Sequence, residues 1–472
     1  MEKISIHNDF KKFDDIQDSI RKYDLRIKNI PNKKRKDLSV AWAYPIYMNI
    51  LNLPESGFKI HISATIINAS SIIKKLVPYL LLHNIAFKII GSLNNLKKMN
   101  QGSYGYSQIG KFITVYPINN KEAHNYAYKF DEILSGFESI KIPSDLQLLP
   151  NSIIYYRYGS FKKNNRIKLP NGLFIKDKRH PKHIIPEGIE NIFPVHIDKQ
   201  NNSLLANRII ILKVIRQTAK GLVFLGFDLI TSKSIIIKEG RKLSVMEDSG
   251  IDGYDRLRWS SDVQEIIEKY KITPSKIFYH EEKYNNFLGF EYFRSRSLSK
   301  ILLSKRKLFH EKKIDILTKI IECIHNFHIE NIYINDISPD NILINGEGIL
   351  KIIDFEYCIK DNYLAFPGWE MGTPGFAPKA KFMQELNLSD SKKYFLRDIF
   401  AIRQLIFALM NQEWYRAIVK GTHLEEEDWG IRFYSEKPLF KNLFDKISLN
   451  PLDYKSVLDF LPFVKELYKL EY

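Results

Sequence analysis

The alternation of apolar and polar residues in the first third of the chain predicts short strands separated by amphipathic helices. Residues 58–65 alternate, and the polar face of this strand carries Lys59 and His61. Helical periodicity runs through residues 68–83 and 119–134, and further strands are predicted at residues 86–90, 110–117 and 153–159. This order of elements predicts an α+β domain.

Farther along the chain, residues 333–356 predict a polar loop between two apolar strands. Asp336 and Asn341 stand five residues apart on the loop, and Asp354 ends the second strand. Mg²⁺ prefers oxygen ligands and keeps phosphate oxygens in its shell, while a carboxylate orients the attacking hydroxyl in phosphoryl transfer. The pattern therefore predicts Asp336 at a substrate hydroxyl and Asn341 and Asp354 at a metal. The alternative is that these residues are turn formers and a strand-end cap.

This loop resembles the catalytic loop and metal-binding motif of protein kinases, with several departures. Ile334 and Asn335 stand where those kinases have His-Arg, and Ser338 replaces the lysine that follows the aspartate. Glu356 replaces the glycine that follows Asp354 and a phenylalanine. These departures favour a distant, atypical kinase over a regulated signalling kinase.

Residues upstream of the loop resemble other parts of a kinase. Lys238, on the β-branched strand 234–239, stands in the place of the lysine that holds the α- and β-phosphates. Gly221 opens a turn and strand that would cover the phosphates, with fewer glycines than a full phosphate-covering loop. Glu291 and Phe293 lie in a segment that resembles the hinge, whose backbone groups would contact adenine.

Two later segments complete the resemblance, and one kinase part is missing. Residues 372–378 resemble the end of an activation segment, and residues 397–401 resemble the helix whose aspartate braces the catalytic loop. The helix after Lys238 shows no acid at the expected offset, and Asp262 and Glu265 are the nearest candidates to pair with that lysine. An acid on an amphipathic helix can equally belong to a solvated face.

Composition narrows the class of protein. A chain of 472 residues is long enough for two or three domains, and 44% hydrophobic residues predict packed cores. The two cysteines, Cys323 and Cys358, suggest neither a disulfide framework nor a Cys-rich zinc site, which predicts a cytoplasmic location. No signal peptide or membrane-length apolar run is visible, so we expect no membrane association.

The formal net charge of +17 predicts anionic partners or simply a soluble surface. The basic residues are dispersed, and no zinc-finger, helix-turn-helix or RNA-recognition motif is visible. We therefore expect no nucleic-acid partner. Most of this charge is assigned to ordinary solvated surface, and the remainder to phosphates and to an acidic peptide.

Cationic residues recur on the predicted strands of the first third. Lys59 and His61 share one strand face, and Lys88, Lys111 and Arg157 come from other strands, so together they could form a phosphate pocket. Neighbouring positive charges and burial both lower the pKa of a lysine, which could then act as a general base. Each residue could instead be a snorkelling lysine, a satisfied histidine or a surface arginine.

Here the sequence resembles the N-terminal lyase segment of class III and class IV lanthipeptide synthetases. The resemblance rests on residues 57–65, 87–88, 110–117 and 156–159, and the Lys-x-His pair is also similar to that of bacterial phosphothreonine lyases. That family joins a phosphoserine/phosphothreonine lyase to a kinase-like domain in this order. It implies a lyase-like α+β domain with an N-terminal extension at residues 1–190 and a bilobal kinase-like domain at residues 200–472, with its N-lobe near residues 200–293 and its C-lobe near residues 294–472.

The resemblance also implies roles and partners. Lys88 would be the general base, His61 would protonate or steady the leaving phosphate, and the phosphate's charge would be held by Lys59, Lys111 and Arg157. The substrate would be Ser or Thr in a ribosomal precursor peptide that docks by a leader helix, and the cofactors would be Mg²⁺ and ATP or GTP. The products would be dehydroalanine and dehydrobutyrine.

The family pattern continues into a cyclase domain, whereas this chain ends at Tyr472. We expect either a truncation before the cyclase or a separate cyclase protein, and no zinc-dependent thioether chemistry in this polypeptide. Residues 162–186 are interpreted as an inter-domain linker, with part of the leader dock as the alternative. Other functions left open are an atypical peptide or small-molecule kinase whose N-terminal domain only binds substrate, and a pseudokinase scaffold.

Overall fold

The computed structural model describes residues 16–31, 39–48, 53–162, 164–178, 184–194, 207–304, 308–360, 368, 371–420, 442, 445 and 453–469. The start of the predicted N-terminal extension and residues 163 and 179–183 of the predicted linker lie outside these ranges.

The first part of the chain forms a seven-stranded antiparallel sheet in the order β1-β2-β4-β5-β3-β7-β6. Its strands are β1 (Arg26–Pro31), β2 (Ser39–Tyr44), β3 (Ser56–Ile62), β4 (Phe87–Ile90), β5 (Ile113–Val115), β6 (Leu146–Gln147) and β7 (Ile154–Ser160). The accompanying helices are α1 (Ile16–Lys22), α2 (Ala69–Leu82), α3 (Leu93–Asn100) and α4 (Asn120–Ile133), with a short 3₁₀ helix at Tyr106–Gln108.

The alternation read from the sequence decides which face of this sheet is buried against helices. Phe58 and Ile60 on β3 join Phe87 on β4 and Ile113 on β5 in one apolar core, and α4 packs on β3. Helix α4 begins where Asn119 accepts a hydrogen bond from the backbone N–H of Glu122, an N-cap that satisfies an otherwise unpaired donor. The polar residues of β3 consequently face the opposite side of the sheet.

Residues 162–186 are more than the predicted linker. Their described part contains the hairpin of β8 (Arg166–Lys168) and β9 (Phe174–Lys176), and this hairpin packs beside β3 and β7. Ser56 on β3 accepts a hydrogen bond from the backbone N–H of Lys168, which fixes the hairpin to the sheet. The interpretation as a linker is wrong for this hairpin because it makes side-chain hydrogen bonds with the first domain.

The second part of the chain begins with a five-stranded antiparallel sheet in the order β10-β11-β12-β14-β13. Its strands are β10 (Ile209–Gln217), β11 (Leu222–Asp228), β12 (Lys233–Arg241), β13 (Lys276–Glu281) and β14 (Asn285–Glu291). Helix α5 (Gly253–Ile267) packs on β12, and a 3₁₀ turn follows at Glu268–Tyr270. Asp252 and Asp255 form a capping box that starts α5.

The remainder is mainly helical. Its helices are α6 (Leu298–Leu303), α7 (His310–Ile329), α8 (Ala380–Glu385), α9 (Asp390–Met410), α10 (Gln412–Val419) and α11 (Leu461–Lys469), with a 3₁₀ turn at Val457–Phe460. Short strands pair between them: β15 (Arg296–Ser297), β17 (Ile342–Ile344) and β18 (Leu350–Ile352) in one sheet, and β16 (Ile332–Tyr333) with β19 (Ile359–Lys360) in another. An apolar core built on α7 and α9 carries the loops between these strands.

The predicted fold class is confirmed: a mixed α and β domain is followed by a sheet-rich lobe and a helical lobe. The predicted strands and helices of the first third are all present, each within a few residues of its predicted ends. Within the described residues, no helix is long and apolar enough to cross a membrane.

Candidate active sites

The loop between β16 and β17 carries Asp336 and Asn341. Asn341 donates its side-chain amide to the backbone carbonyl of Asp336 at 3.0 Å, which holds the two residues together. Asp336 Oδ1 accepts hydrogen bonds from the backbone N–H (2.9 Å) and the hydroxyl (2.7 Å) of Thr373. Burial, and the nearby charge of Asp354, raise the pKa of Asp336 despite the bonds from Thr373. A carboxylate of raised pKa suits the acceptance of a hydroxyl proton.

A buried aspartate holds the catalytic loop in place, as the kinase resemblance implied. Asp398 on α9 accepts hydrogen bonds from the backbone N–H groups of Ile334 (3.0 Å) and Asn335 (2.8 Å), and it lies 2.8 Å from His328 Nε2. Asn335 adopts a left-handed φ of 60°, a conformation that asparagine tolerates better than most residues. The two bonds fix this turn, so the prediction for residues 397–401 is confirmed.

Lys238 on β12 meets the end of the second loop strand. Its ammonium binds Asp354 Oδ1 at 3.0 Å and lies 3.9 Å from Glu356 Oε1. Burial raises the pKa of Asp354, but Lys238 and Lys220 lower it more, so the net shift is downward and the carboxylate stays ionised. Lys238 and Asp354, which stand 116 residues apart in sequence, are therefore brought together.

The acid that pairs with Lys238 does not come from α5. Glu265 binds Lys276 instead, and burial raises the pKa of Asp262. Among the residues of α5 that reach the loop after Asp354 is a cation, Arg256, which is 1% exposed and paired with Glu247. Arg256 also donates to the backbone carbonyl of Glu356. The structure thus replaces a helix-borne glutamate with the acids of the loop itself.

The donor set at this loop fits a divalent metal. Mg²⁺ is usually held by one or two carboxylates together with substrate phosphates. Asp354, with a side chain 31% exposed, supplies carboxylate oxygens, and Asn341, whose amide nitrogen is bound to Asp336, presents its oxygen as an acceptor. No cluster of three or more His, Cys, Asp or Glu side chains suited to a metal occurs among the described residues.

The predicted hinge residues lie at and just after the end of strand β14. Glu291 is the last residue of β14 and lies opposite Ile235 on β12. Its backbone N–H donates to the carbonyl of Ser275 at 2.9 Å, and the side chain of Lys351 lies 5.4 Å from the ring centre of Phe293. Gly221 lies in the turn before β11, where an added Cβ would collide with the Glu239 carbonyl oxygen. Glycine is therefore required at that turn.

Four of the five predicted cationic residues of the first domain stand on strands, and the register aligns them. Lys59 on β3 lies directly opposite Arg157 on β7. His61 and Lys88 both lie opposite Thr114 of β5, one on each side. Because successive residues alternate between faces and neighbouring strands stand about 4.8 Å apart, these side chains share one face, with Lys88 about 10 Å from His61 along the sheet.

A carboxylate that the sequence did not reveal joins this group. Asp145, whose side chain is fully buried, binds Lys111 Nζ at 2.8 Å through Oδ1 and lies 2.5 Å from His61 Nδ1 through Oδ2. Burial raises the pKa of Asp145, but Lys111 and His61 lower it more, and the net shift is downward. The fifth predicted cation, Lys111, thereby reaches His61 through a shared anion.

The same surroundings keep His61 neutral. Burial and the charge of Lys111 lower its pKa to about 3, and Asp145 only partly offsets them. Because ionised Asp145 can only accept, the imidazole proton lies on Nδ1 and Nε2 is the acceptor. Neutral His61 can therefore accept a hydrogen bond at Nε2.

Other cations of this face have partners of their own. Arg157 binds Asp177, which follows β9, at 2.7 Å, and both side chains are 6% exposed. The ammonium of Lys88 lies 3.7 Å from the ring centre of Trp42, and that of Lys59 lies 5.9 Å from the ring centre of Tyr116. Each cation is held by an anion or a ring.

Two protein families match successive parts of this chain. The protein kinase domain matches residues 213–427, and the family described as the RamC N-terminal domain matches residues 24–203. The chain is 23% identical over 330 residues to a protein named "Probable SapB synthase" of Streptomyces coelicolor, which covers 65% of this chain. It is 28% identical over 120 residues to Aurora kinase of Saccharomyces cerevisiae, covering 25% of this chain and 32% of that kinase.

The fold and the catalytic-loop geometry define the second part as a protein kinase domain, which implies ATP and a divalent metal. The chain joins a RamC N-terminal domain to this kinase domain, as class III lanthipeptide synthetases do, and the family resemblance is confirmed. The chain spans 35% of the length of the SapB synthase.

Proposed function

We propose that this chain phosphorylates Ser and Thr side chains of a ribosomal precursor peptide and then eliminates the phosphate, leaving dehydroalanine or dehydrobutyrine. The observation that supports this most is the coexistence of two separate sites in one polypeptide. One is the loop in which Asp336, Asn341 and Asp354 meet Lys238. The other is the cationic sheet face around His61 and Asp145.

In the first step, Asp336 orients the peptide hydroxyl and accepts its proton. Thr373 holds the carboxylate through two hydrogen bonds. Lys238 would hold the phosphates of the nucleotide, backbone groups of the segment with Glu291 and Phe293 would contact adenine, and the turn at Gly221 would cover the phosphates. Asn341 and Asp354 would hold Mg²⁺, which when bound neutralises phosphate charge. ATP or GTP is the phosphoryl donor.

In the second step, the amine of Lys88, once deprotonated, takes the α-proton of the phosphorylated residue. The electrons of that C–H bond form the Cα–Cβ double bond, the Cβ–O bond breaks, and inorganic phosphate leaves. Lys59, Lys111 and Arg157 hold the phosphate's charge, and preorganised charges of this kind often contribute more to catalysis than any other effect. An incoming phosphate opposes the effect of Lys111 on His61, so the imidazole becomes able to hold a proton and steady the leaving group.

The test is mass spectrometry of a precursor peptide encoded beside this chain, incubated with ATP or GTP and Mg²⁺. Loss of one water per modified residue supports the two-step function. Phosphate gain without later loss of water supports a kinase with a substrate-binding first domain, and no change in mass contradicts both.

That second candidate, a peptide kinase whose first domain only binds substrate, has an observation in its favour. Ion pairs already occupy Lys111 and Arg157, and the ring of Trp42 favours the charged form of Lys88. A binding domain could keep these pairs, whereas a lyase must exchange them for the phosphate. The lanthipeptide leader, and a cyclase that acts on the product, remain part of the first proposal only.

A further inference from the structure

The turn between β10 and β11 brings a lysine over the kinase site. Lys220 lies beside Gly221, and this turn is fixed at both ends: the Thr218 hydroxyl donates to the Gly221 carbonyl at 2.9 Å, and the backbone N–H of Arg241 donates to the Lys220 carbonyl at 2.9 Å. The close approach of Gly221 to Glu239 leaves no space for a side chain there. The direction of Lys220 is therefore set by the sheet.

The Lys220 side chain reaches the loop that carries Asp354. Its ammonium binds Glu356 Oε2 at 2.6 Å and the hydroxyl of Tyr357 at 2.7 Å. The side chain of Lys220 is 25% exposed and that of Glu356 is 15% exposed. Burial alone lowers the pKa of Lys220, but Glu356, Tyr357 and Asp354 outweigh it and raise the pKa above its ordinary value, so the lysine is charged.

Lys220 shares its anions with the predicted nucleotide lysine. Glu356 lies 3.9 Å from Lys238, and Asp354, which binds Lys238 at 3.0 Å, is also stabilised by the charges of Lys220 and Arg216. Lys238 and Lys220 thus bind the two neighbouring acids Asp354 and Glu356, beside which a metal–nucleotide complex would be bound. Lys220 lies on the turn that would cover this place.

Ordinary kinases cover the phosphates with a glycine-rich turn, which lets the backbone approach them closely. Between β10 and β11 the sequence is Thr-Ala-Lys-Gly, with the single glycine Gly221. A lysine in a rigid turn can supply the missing interaction because an ammonium group forms charge-assisted hydrogen bonds with phosphate oxygens. This gives a physical role to a departure that the sequence showed only as a shortage of glycine.

We propose that Lys220 is a second side-chain ligand for the phosphates of the nucleoside triphosphate, and that Glu356 holds it in position while the nucleotide is absent. The inference rests on the proposed phosphoryl transfer and adds a residue to that site. A triphosphate carries several negative oxygens, so it can accept from Lys220 and Lys238 together and replace the single Glu356 carboxylate. Glu356 is a positioning residue in this arrangement.

The test compares the affinity of the full chain for three probes: adenosine, ADP with Mg²⁺, and a non-hydrolysable ATP analogue with Mg²⁺. The variants are Lys220→Ala and Lys220→Arg, with Lys233→Ala as control because Lys233 is exposed at the far end of the same sheet. We expect Lys220→Ala to weaken binding of the ATP analogue at least tenfold and of adenosine less than twofold. The affinity of Lys220→Arg for the ATP analogue should stay within about threefold of the wild-type value, and so should the affinity of the control variant.

Three results would overturn the inference. Equal weakening of adenosine and the ATP analogue by Lys220→Ala would mean that the lysine only supports the fold, and an unchanged affinity for the analogue would mean that it does not contact phosphate. In both cases the wild type still binds nucleotide and the proposed kinase step survives. A wild-type chain that binds neither these three probes nor their guanosine counterparts would overturn the kinase step together with the inference.

Discussion

Asp145 lies between Lys111 and His61 of the first domain, 2.8 Å from Lys111 Nζ and 2.5 Å from His61 Nδ1. The three side chains are at most 5% exposed, so the charges of the aspartate and the lysine compensate each other where water does not reach. This contact sets the protonation state of the histidine, and it links a loop residue to the strand face that we propose as the lyase site.

The Asp145 contact predicts a large loss of stability on Asp145→Asn. The substitution leaves Lys111 buried without its compensating charge, which should lower the free energy of unfolding by roughly 3–5 kcal/mol. Denaturant unfolding measures this change, and Lys111→Met added to Asp145→Asn should restore part of it. The control is Glu132→Gln, which removes an exposed partner of Lys129 and should cost less than about 1 kcal/mol. Equal effects of the two single substitutions would contradict the buried pair.

The neutral state of His61 predicts a pH dependence of stability. Its pKa is about 3 in the folded chain and 6.5 ordinarily, so the unfolded chain binds a proton that the folded chain refuses. The contribution of neutral His61 to the free energy of unfolding is complete above pH 6.5. It is lost as the pH falls toward 3, at up to about 1.4 kcal/mol per pH unit. Chemical unfolding between pH 7 and 5 covers roughly the upper part of that window. The slope of the free energy of unfolding against pH should be smaller for His61→Asn than for the wild type.

A matched control for that slope is His83→Asn, because His83 is exposed at the end of α2. Its slope should equal that of the wild type. If His61→Asn also leaves the slope unchanged, the imidazole is not held neutral in the fold.

The brace at Asp398 predicts a defect in phosphoryl transfer without loss of nucleotide affinity. Asp398→Ala leaves the buried backbone N–H groups of Ile334 and Asn335 without an acceptor. Each unpaired group should destabilise the loop by roughly 1–3 kcal/mol. The catalytic loop should then lose its turn, so kcat falls at least tenfold while the KM for ATP changes little. Steady-state kinetics with a peptide substrate measure both constants. Asp390→Ala, an exposed position on the same helix, should keep both values, and a pure KM effect at Asp398 would contradict the brace.

Asp336→Asn should stop both phosphate gain and water loss on the precursor peptide. Loss of a general base typically costs about 10²–10⁴ in rate, whereas Asn can still accept a hydrogen bond from Thr373 and keep the loop folded. Intact mass and nucleotide binding are measured on the same sample. Dehydration at the wild-type rate would remove Asp336 from the proposed mechanism.

Local patterns predicted most of the architecture and only part of the site. The alternation at residues 58–65 fixed the face on which Lys59 and His61 lie, because a strand has a period of two residues. Asp145 and Asp177 were missed. Asp145 lies in a loop, 34 residues from Lys111, and Asp177 follows a short hairpin, 20 residues from Arg157. No periodicity marks a contact of that kind.

Glu356 shows a different limit of sequence reasoning. It was visible only as a departure from the glycine of the kinase motif, and Lys220 did not stand out at all. Their contact joins residues 136 positions apart and depends on how one sheet lies over one loop. The partner of Lys238 was likewise sought on α5, because the usual kinase pattern places an acid there, whereas this helix presents Arg256 to the loop.

The central claim is tested most directly with a synthetic peptide that already contains phosphoserine, incubated with the chain in the absence of nucleotide. The account predicts release of inorganic phosphate and formation of dehydroalanine by the wild type and by Lys121→Ala, an exposed control on α4. Lys88→Ala should leave the phosphopeptide intact. Elimination by Lys88→Ala at the wild-type rate, or none by the wild type on a peptide that the kinase domain can itself phosphorylate, would contradict it.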